Sequence, residues 1–157
     1  MWACNYGIDE DKPIVYGSTG AWTLLIPIKN IESFSKMKPI NAMFPEILTE
    51  LPKSSIHPFC LQAYDLKSFM HARHFSSPFS GTIEDPVTGT ASGVMGSYFL
   101  KFLNPSLDSI VFDVEQGQEV GKEGRVHVEV NRAESDLLEV FISGTAVYVK
   151  DLHIEYV

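Results

Sequence analysis

A short loop in the middle of the chain holds the residues best suited to chemistry. Residues 81–93 read Gly-Thr-Ile-Glu-Asp-Pro-Val-Thr-Gly-Thr-Ala-Ser-Gly, so acidic side chains precede hydroxyl-bearing and small ones at a predicted helix start. The first N–H groups of a helix have no partner within it, and the helix dipole adds partial positive charge there. Gly89 and Ala91 leave room for a ligand close to the backbone. The pattern predicts a receptor for a carboxylate or phosphate, with Asp85 or Glu84 as the candidate acid or base.

The same loop has a purely structural interpretation. A turn rich in Thr and Gly commonly serves only as the N-cap of the helix after it, and Asp85 could satisfy the unpaired N–H groups there. Taken alone, the pattern favours this structural role over a ligand site. The loop is not a Gly-x-x-x-x-Gly-Lys-Ser/Thr phosphate loop, a dinucleotide fingerprint or a Gly-x-Ser-x-Gly elbow.

His74 is a further candidate, because it lies on a predicted strand just before this loop. It could face the site and hydrogen-bond a ligand, although a His in an alternating strand more often packs on an exposed or half-buried face. The other histidines show no metal-ligand spacing, so no metal site is predicted. Cys4 and Cys60 are far apart in the chain, and two reduced thiols are predicted rather than a disulfide.

The helix after the loop is the element that must position these residues. It is predicted over Thr90–Leu103, and Asn104-Pro105 ends it. Its apolar residues nearly encircle it, and Lys101 is its only charged residue. A helix that is apolar on every side belongs in the interior of a protein.

Strand candidates precede and follow this helix in the sequence. They are Ile14–Tyr16, Ala21–Ile28, Pro58–Tyr64, Ser68–Phe75, Ile110–Glu115, Arg125–Val130, Leu137–Ser143 and Thr145–Ile154. Gly144 is the predicted turn between the last two. One short helix is predicted to end at Met37 and another to span Ala42–Leu51. Together these elements predict an α+β fold, in which a curved sheet or near-barrel is wrapped around a central buried helix.

The bulk composition narrows the class of protein. The chain has 157 residues, of which 45% are hydrophobic and 20% charged, and its formal net charge is −8. We expect a single domain over 1–157 with a loose lead-in over 1–13, because no repeat or long linker divides the chain. The acidic balance argues against nucleic acid as a partner. No apolar run approaches the roughly 20 residues of a membrane span, and no signal-peptide pattern opens the chain, so a cytoplasmic location without membrane contact is expected.

Several segments match the signature of one family. In chain order they are Gly17–Ile28, Arg73-x-Phe75 with Pro78, the run Gly81-x-Ile83-Glu84-Asp85-Pro86-x-Thr88-Gly89-Thr90-Ala91, and Gln116-Gly117 followed by Gly121. They resemble the phenazine-biosynthesis PhzF-like family, and the resemblance covers the chain from about Ile14 to its end. The run from Gly81 to Ala91 is the specific part of this resemblance, and the other matches support it.

The resemblance implies both a fold and a reaction. Members of this family are similar to diaminopimelate epimerase, which has two pseudo-symmetric domains, each a curved sheet around a central helix, with the active site in the cleft. This chain would correspond to the C-terminal domain. In PhzF the reaction is an isomerisation of a small carboxylate-bearing molecule without metal or cofactor, in which an acid/base residue moves a proton.

The resemblance also assigns roles to individual residues. Asp85 matches the active-site aspartate of the family, and Gly89 and Thr90 match a Gly-Ser pair that meets the substrate. Thr88 lies where the true epimerases have a catalytic cysteine, so two-base cysteine racemisation is not expected. The predicted site therefore consists of Asp85 as the catalytic residue and of Thr88, Gly89, Thr90, Ala91 and His74 as substrate-binding residues.

This sequence departs from the family pattern in ways that bear on activity. Lys122 stands where an Arg usually follows the glycine, and the spacing from Phe75 to Gly81 is one residue longer. The N-terminal half of the family, with its proton-shuttling glutamate and Gly-Asn-Pro segment, has no counterpart here. We therefore expect half of an isomerase, completed by a homodimer partner or by a partner N-terminal domain. The alternatives are a module that binds small carboxylates without turnover, and a truncated fragment with an exposed cleft face.

Overall fold

A single mixed sheet dominates the computed structural model, which describes residues 7–134 and 137–155. Its strands are β1 Val15–Ser18, β2 Trp22–Pro27, β3 Ser55–Cys60, β4 Met70–Ala72, β5 His74–Phe75, β6 Glu84–Asp85, β7 Ser109–Gln116, β8 Gly124–Arg132 and β9 Leu138–Ser143. The α-helices are α1 Phe44–Ile47 and α2 Gly89–Tyr98, and a π-helical segment, Phe99–Leu103, continues α2. Short 3-10 helices span Ile31–Lys36, Asn41–Met43 and Gln118–Val120.

The sheet curls around α2. Its strand order is β1-β2-β3-β4-β7-β8-β9, with β5 and β6 branching from β3 as a small antiparallel pair. Neighbouring strands are antiparallel except for β2–β3 and β4–β7, which are parallel. The helix contacts β8 and β9 at one end of this order and β1 at the other. The predicted α+β fold, a curved sheet around a central buried helix, is confirmed.

Small residues allow α2 to lie close to the strands that surround it. A methyl group at Gly96 would lie 2.5 Å from Val130 Cγ2 and 2.8 Å from Val128 Cγ1. On β1, a methyl group at Gly17 would collide with the side chain of Val94. Because protein interiors are packed near the density of organic crystals, a side chain at either glycine would force the helix and the strand apart.

The predicted strand Thr145–Ile154 is wrong. Residues 144–155 have no regular secondary structure, and the side chains of Val147 and Ile154 are 83% and 82% exposed. An alternating apolar pattern forms a strand only where a neighbouring strand satisfies its backbone, and within the described part of the chain nothing pairs with this segment. The predicted turn at Gly144 therefore closes no hairpin.

Other boundaries shift for local reasons. The predicted helix Ala42–Leu51 is only the 3-10 turn followed by α1, because the backbone leaves helical geometry at Leu48. The strand predicted over Pro58–Tyr64 is β3, which lies earlier and is buried along its whole length. The strand predicted over Ser68–Phe75 is divided at Arg73 into β4, which pairs with β7, and β5, which pairs with β6.

The described part of the predicted lead-in packs on the sheet. Ile8 bridges to Ile28, and the Asp9 N–H donates to the carbonyl of Pro27. Cys60 is a buried free thiol, whereas Cys4 lies outside the described residues. No helix in the described ranges is both long enough and apolar enough to cross a membrane.

Candidate functional site

A cavity of about 690 Å³ lies beside the loop that the sequence singled out. It is lined by Ala21, Trp22, Leu51, Pro52, Lys53, Ser54, Ser55, His74, Ser76, Ser77, Ser80, Thr82 and Asp85. Two of the predicted site residues, His74 and Asp85, therefore line one cavity. They lie on paired strands, because His74 of β5 is the register partner of Asp85 of β6.

The Asp85 carboxylate is held through one oxygen only. The Thr88 hydroxyl donates to Asp85 Oδ2 at 2.7 Å. Among the residues that the structure describes, Asp85 Oδ1 has no hydrogen-bond partner. The carboxylate is thus fixed in orientation and keeps one oxygen free for a ligand.

Gln116 fixes the loop that carries Asp85 and Thr88. Its side-chain Nε2 donates to the carbonyl of Asp85 at 2.6 Å and to Thr88 Oγ1 at 3.2 Å, and its Oε1 accepts from the Thr88 N–H at 3.3 Å. The side chain is fully buried at the end of β7. Sequence reasoning noted Gln116 only as half of a Gln-Gly match and missed this role. The available signal was a polar residue directly after the predicted strand Ile110–Glu115.

Gly117 lets the turn after β7 reach the same loop. Its φ is +98°, and a side chain there would lie 2.8 Å from the Pro86 carbonyl and would also collide with the Lys122 carbonyl. Only glycine adopts this backbone conformation readily. The Gln116-Gly117 pair is therefore a support for the loop as well as a family match.

Glu84, the neighbouring acid, is occupied by a buried arginine. Arg73 donates to its two carboxylate oxygens, from Nε at 2.8 Å and from Nη2 at 2.6 Å. Arg73 Nη1 also donates to the carbonyls of Phe34 and Met37. Arg73 therefore joins the 3-10 helix Ile31–Lys36 to Glu84 of β6. Successive residues of a strand point to opposite faces, so Glu84 packs inward while Asp85 faces the cavity. Of the two acids proposed from the sequence, only Asp85 is available to a ligand.

The remaining predicted residues lie at the start of α2. Thr88 is the N-cap residue, but its hydroxyl bonds to Asp85 instead of capping the helix. The exposed Thr90 accepts a hydrogen bond from Thr19 Oγ1 at its carbonyl, which joins the β1–β2 turn to the helix. The space left by the missing side chain of Gly89 is used by Ile142 of β9, whose Cδ1 would lie 2.7 Å from an added methyl group. The Ala91 side chain is buried.

A buried imidazole lies directly behind His74. His57 of β3 is fully buried, and its Nδ1 is 3.1 Å from His74 Nδ1. Burial lowers the pKa of His57 well below its usual value, and it lowers the pKa of His74 to about 4, although the Asp85 carboxylate raises it in part. Both imidazoles are therefore neutral at pH 7. No sequence pattern connects these two histidines, which lie 17 residues apart on different strands.

A second group of buried polar side chains lies away from the cavity. His71 has its Nδ1 3.0 Å from Glu115 Oε1 and its Nε2 3.0 Å from Glu119 Oε1. Glu115 also accepts the backbone N–H groups of Tyr64 and Asp65. Because both Glu115 oxygens and the His71 imidazole are engaged in this way, the cluster joins the β3–β4 loop to β7.

Comparison with known proteins tests the family resemblance. The family model described as "Phenazine biosynthesis-like protein" matches residues 3–151. The chain belongs to this family. The family resemblance predicted from the sequence is thereby confirmed.

Known relatives of this PhzF-like chain are about twice its length. YfhB of Bacillus subtilis strain 168, named an uncharacterized isomerase, is 53% identical over 139 residues, which is 88% of this chain and 46% of that protein. YddE of Escherichia coli K12, named in the same way, is 32% identical over 137 residues, which is 86% of this chain and 45% of that protein. The crystal structure of a Bacillus anthracis phenazine biosynthesis protein of the PhzF family superposes with a TM-score of 0.88 at 55% identity, covering 92% of this chain and 49% of that one.

Proposed function

We propose that this chain is the C-terminal, substrate-holding half of a PhzF-like isomerase. The reaction would transfer a proton on a small carboxylate-bearing metabolite by acid/base catalysis, without a cofactor. The observation that carries the proposal is the Asp85 carboxylate in the cavity, with one oxygen fixed by Thr88 and the other free. The isomerase names of its relatives and the half-length match to them support the same assignment.

The loop geometry suits Asp85 to accept and return a proton. The Thr88 hydroxyl orients the carboxylate by donating to Oδ2, and the Gln116 side chain holds the loop backbone by donating to the Asp85 carbonyl. The free Oδ1 can then remove a proton from carbon while the start of α2 supplies partial positive charge nearby. The α2 N–H groups are suited to the substrate carboxylate, which must bear additional negative charge after deprotonation.

A second chain or domain would complete the cavity. Its rim and the adjoining loop expose large apolar side chains, among them Trp22, Phe79 and Ile83. Exposed apolar surface of this kind is typical of a face that packs on a partner. We propose that the partner is the other half of the isomerase or a second copy of this chain, and that it contributes the second acid/base group.

Hydrogen–deuterium exchange tests the proposed reaction. The chain would be mixed in ²H₂O with the separately produced N-terminal half of YfhB and with a dihydro-hydroxyanthranilate analogue, and deuterium incorporation into carbon would be followed by NMR. We expect exchange in the mixture, a loss of at least 100-fold in Asp85→Asn because the proton acceptor is removed, and an unchanged rate in the control Asp108→Asn, whose side chain is exposed.

The outcomes separate the candidate functions. Exchange in Asp85→Asn at the wild-type rate contradicts the proposed catalytic role. Binding of the carboxylate without exchange in any mixture would instead support a binding module, and its loss on adding bulk at the exposed Thr90 would place that binding at the start of α2.

A further inference from the structure

The two imidazoles behind the cavity form a chain with a methionine. His57 Nδ1 is 3.1 Å from His74 Nδ1, and His57 Nε2 is 3.1 Å from the sulfur of Met95 in α2. His57 and Met95 are both fully buried, so no solvent competes for these contacts. Each ring nitrogen of His57 thus has one defined neighbour.

The chemistry of these neighbours fixes where the protons lie. A thioether sulfur accepts hydrogen bonds weakly and cannot donate one, so the contact with Met95 requires a proton on His57 Nε2. The opposite tautomer would place a nitrogen lone pair against the sulfur lone pairs. A neutral imidazole has one N–H, so His57 Nδ1 is an acceptor, and the His74 Nδ1 facing it must be the donor.

The remaining nitrogen of His74 is the one available to a ligand in the cavity. His74 lines the cavity, and its Nδ1 is directed at the buried His57. Within the described ranges, His74 Nε2 has no hydrogen-bond partner. The free oxygen of Asp85 lies on the neighbouring strand, so two unpaired acceptors are adjacent at this point of the wall.

We propose that His57 and Met95 hold His74 in the Nδ1–H tautomer, so that an unprotonated Nε2 beside Asp85 selects ligands that present an O–H or N–H group to this wall of the cavity. This inference deepens the proposed function and rests on its assignment of the cavity. His57 acts as a positioning residue, and His74 contacts the ligand. Two acceptors disfavour an anionic group at this wall, so the ligand carboxylate must be directed away from it.

The tautomer can be measured on the full chain without any ligand. In ¹⁵N-histidine-labelled protein at pH 7, long-range ¹H–¹⁵N spectra distinguish protonated from unprotonated ring nitrogens. We expect the proton of His74 on Nδ1 and the proton of His57 on Nε2. The signals of each ring are assigned by their loss in His74→Gln and in His57→Asn. An Nε2–H tautomer at His74, or a mixture as in free histidine, would overturn the proposal.

Variants of the two supporting residues test their roles. His57→Leu removes the acceptor that holds the His74 proton, so His74 should shift toward Nε2–H. His57→Asn can place a side-chain oxygen near the same position and should restore the Nδ1–H form. Met95→Leu keeps the core volume and removes only the sulfur, so it remains informative if His57→Leu does not fold. An unchanged His74 tautomer in both His57→Leu and Met95→Leu contradicts the positioning role.

Ligand selection is tested with matched probes, benzoate and 3-hydroxybenzoate. We expect at least tenfold tighter binding of 3-hydroxybenzoate to the wild-type chain, and a ratio near one in Met95→Leu and His57→Leu. Equal affinity for the two probes in the wild type, or binding of neither, overturns the selection of O–H and N–H groups. The tautomer is measured without turnover, so it does not depend on the exchange experiment. A failure of the exchange experiment alone would contradict only the proposed reaction.

Discussion

Adjacent acids in this chain have different roles because of residues far away in the sequence. Glu84 is bound in a bidentate pair by the buried Arg73, while Asp85 is oriented by Thr88 and remains open on one side. The sequence marked both acids as candidates. It could not separate them, because the separation depends on the pairing of β5 with β6 and on the position of the Arg73 side chain. The family signature alone favoured Asp85.

Replacing Gln116 should loosen the loop that carries the catalytic candidate. In Gln116→Leu the Thr88 N–H and the Asp85 carbonyl lose their partners, and we expect a loss of about 2 kcal/mol in the free energy of unfolding. Urea unfolding measures the loss, and amide hydrogen exchange should be faster at Thr88. Gln118→Leu is the matched control, because the Gln118 Oε1 atom is buried without a hydrogen-bond partner. An equal loss in both variants would contradict the assigned role of Gln116.

The buried imidazoles should make stability depend on pH. The pKa of His57 is well below its usual value and that of His74 is about 4, whereas both titrate near 6.5 in the unfolded chain. Between these values the unfolded state binds more protons, so the free energy of unfolding rises with pH from about 4 to 6.5. His74 alone should contribute about 3 kcal/mol, at about 1.4 kcal/mol per pKa unit.

Urea unfolding at a series of pH values measures this dependence. His74→Gln should reduce the rise, while the control His153→Gln, at an exposed position, should leave it as in the wild type. A rise of the same size in His74→Gln and in the wild type would show that His74 is not the source.

At the scale of elements, the central helix was predictable and the strands were less so. The apolar residues around α2 are a local pattern, and the sequence placed the start of the helix within one residue of Gly89. The strands depend on their neighbours. β3 is buried along its length between β2 and β4, and the prediction placed it too late in the chain. The segment 145–154, predicted as a strand, has no neighbour to pair with among the described residues.

Gly96 tests how tightly α2 packs on the sheet. Helix propensity alone favours Gly96→Ala by about 1 kcal/mol. The added methyl group would overlap Val130 and Val128, however, and overpacking typically costs about 1–3 kcal/mol. We expect a net loss of about 1 kcal/mol in the free energy of unfolding, measured in urea. Ser97→Ala, which removes only a hydroxyl bonded to the Gly93 carbonyl, is the control and should be close to neutral.

A second substitution shows whether the loss arises from that contact. Combining Gly96→Ala with Val130→Ala should destabilise the protein by less than the sum of the two single changes, because the smaller side chain makes room for the methyl group. Additive effects would contradict a direct overlap between residues 96 and 130.

At the scale of the whole molecule, the chain matches about half of each relative that it resembles, and its cavity opens beside exposed apolar side chains. We expect it to associate with the N-terminal half of YfhB, or with itself, through this face. The double variant Phe79→Ser/Ile83→Ser should weaken that association at least tenfold, measured by analytical ultracentrifugation. Leu66→Ser is the control, because Leu66 is exposed on the β3–β4 loop and not on the loop between β5 and β6 that carries Phe79 and Ile83. Equal weakening by the control would exclude the loop beside the cavity as the interface.

The curl of the sheet around α2 has a consequence for how the protein is made. The hydrogen bond from Thr19 to Thr90 joins residues 71 positions apart, and α2 is covered on its other side by β8 and β9, which are synthesised after it. Contacts between residues so distant in sequence form slowly, because the intervening chain must first be ordered. During translation, the side of α2 that β8 and β9 cover must therefore remain exposed until these strands have been synthesised, and apolar surface exposed in this way is prone to aggregate.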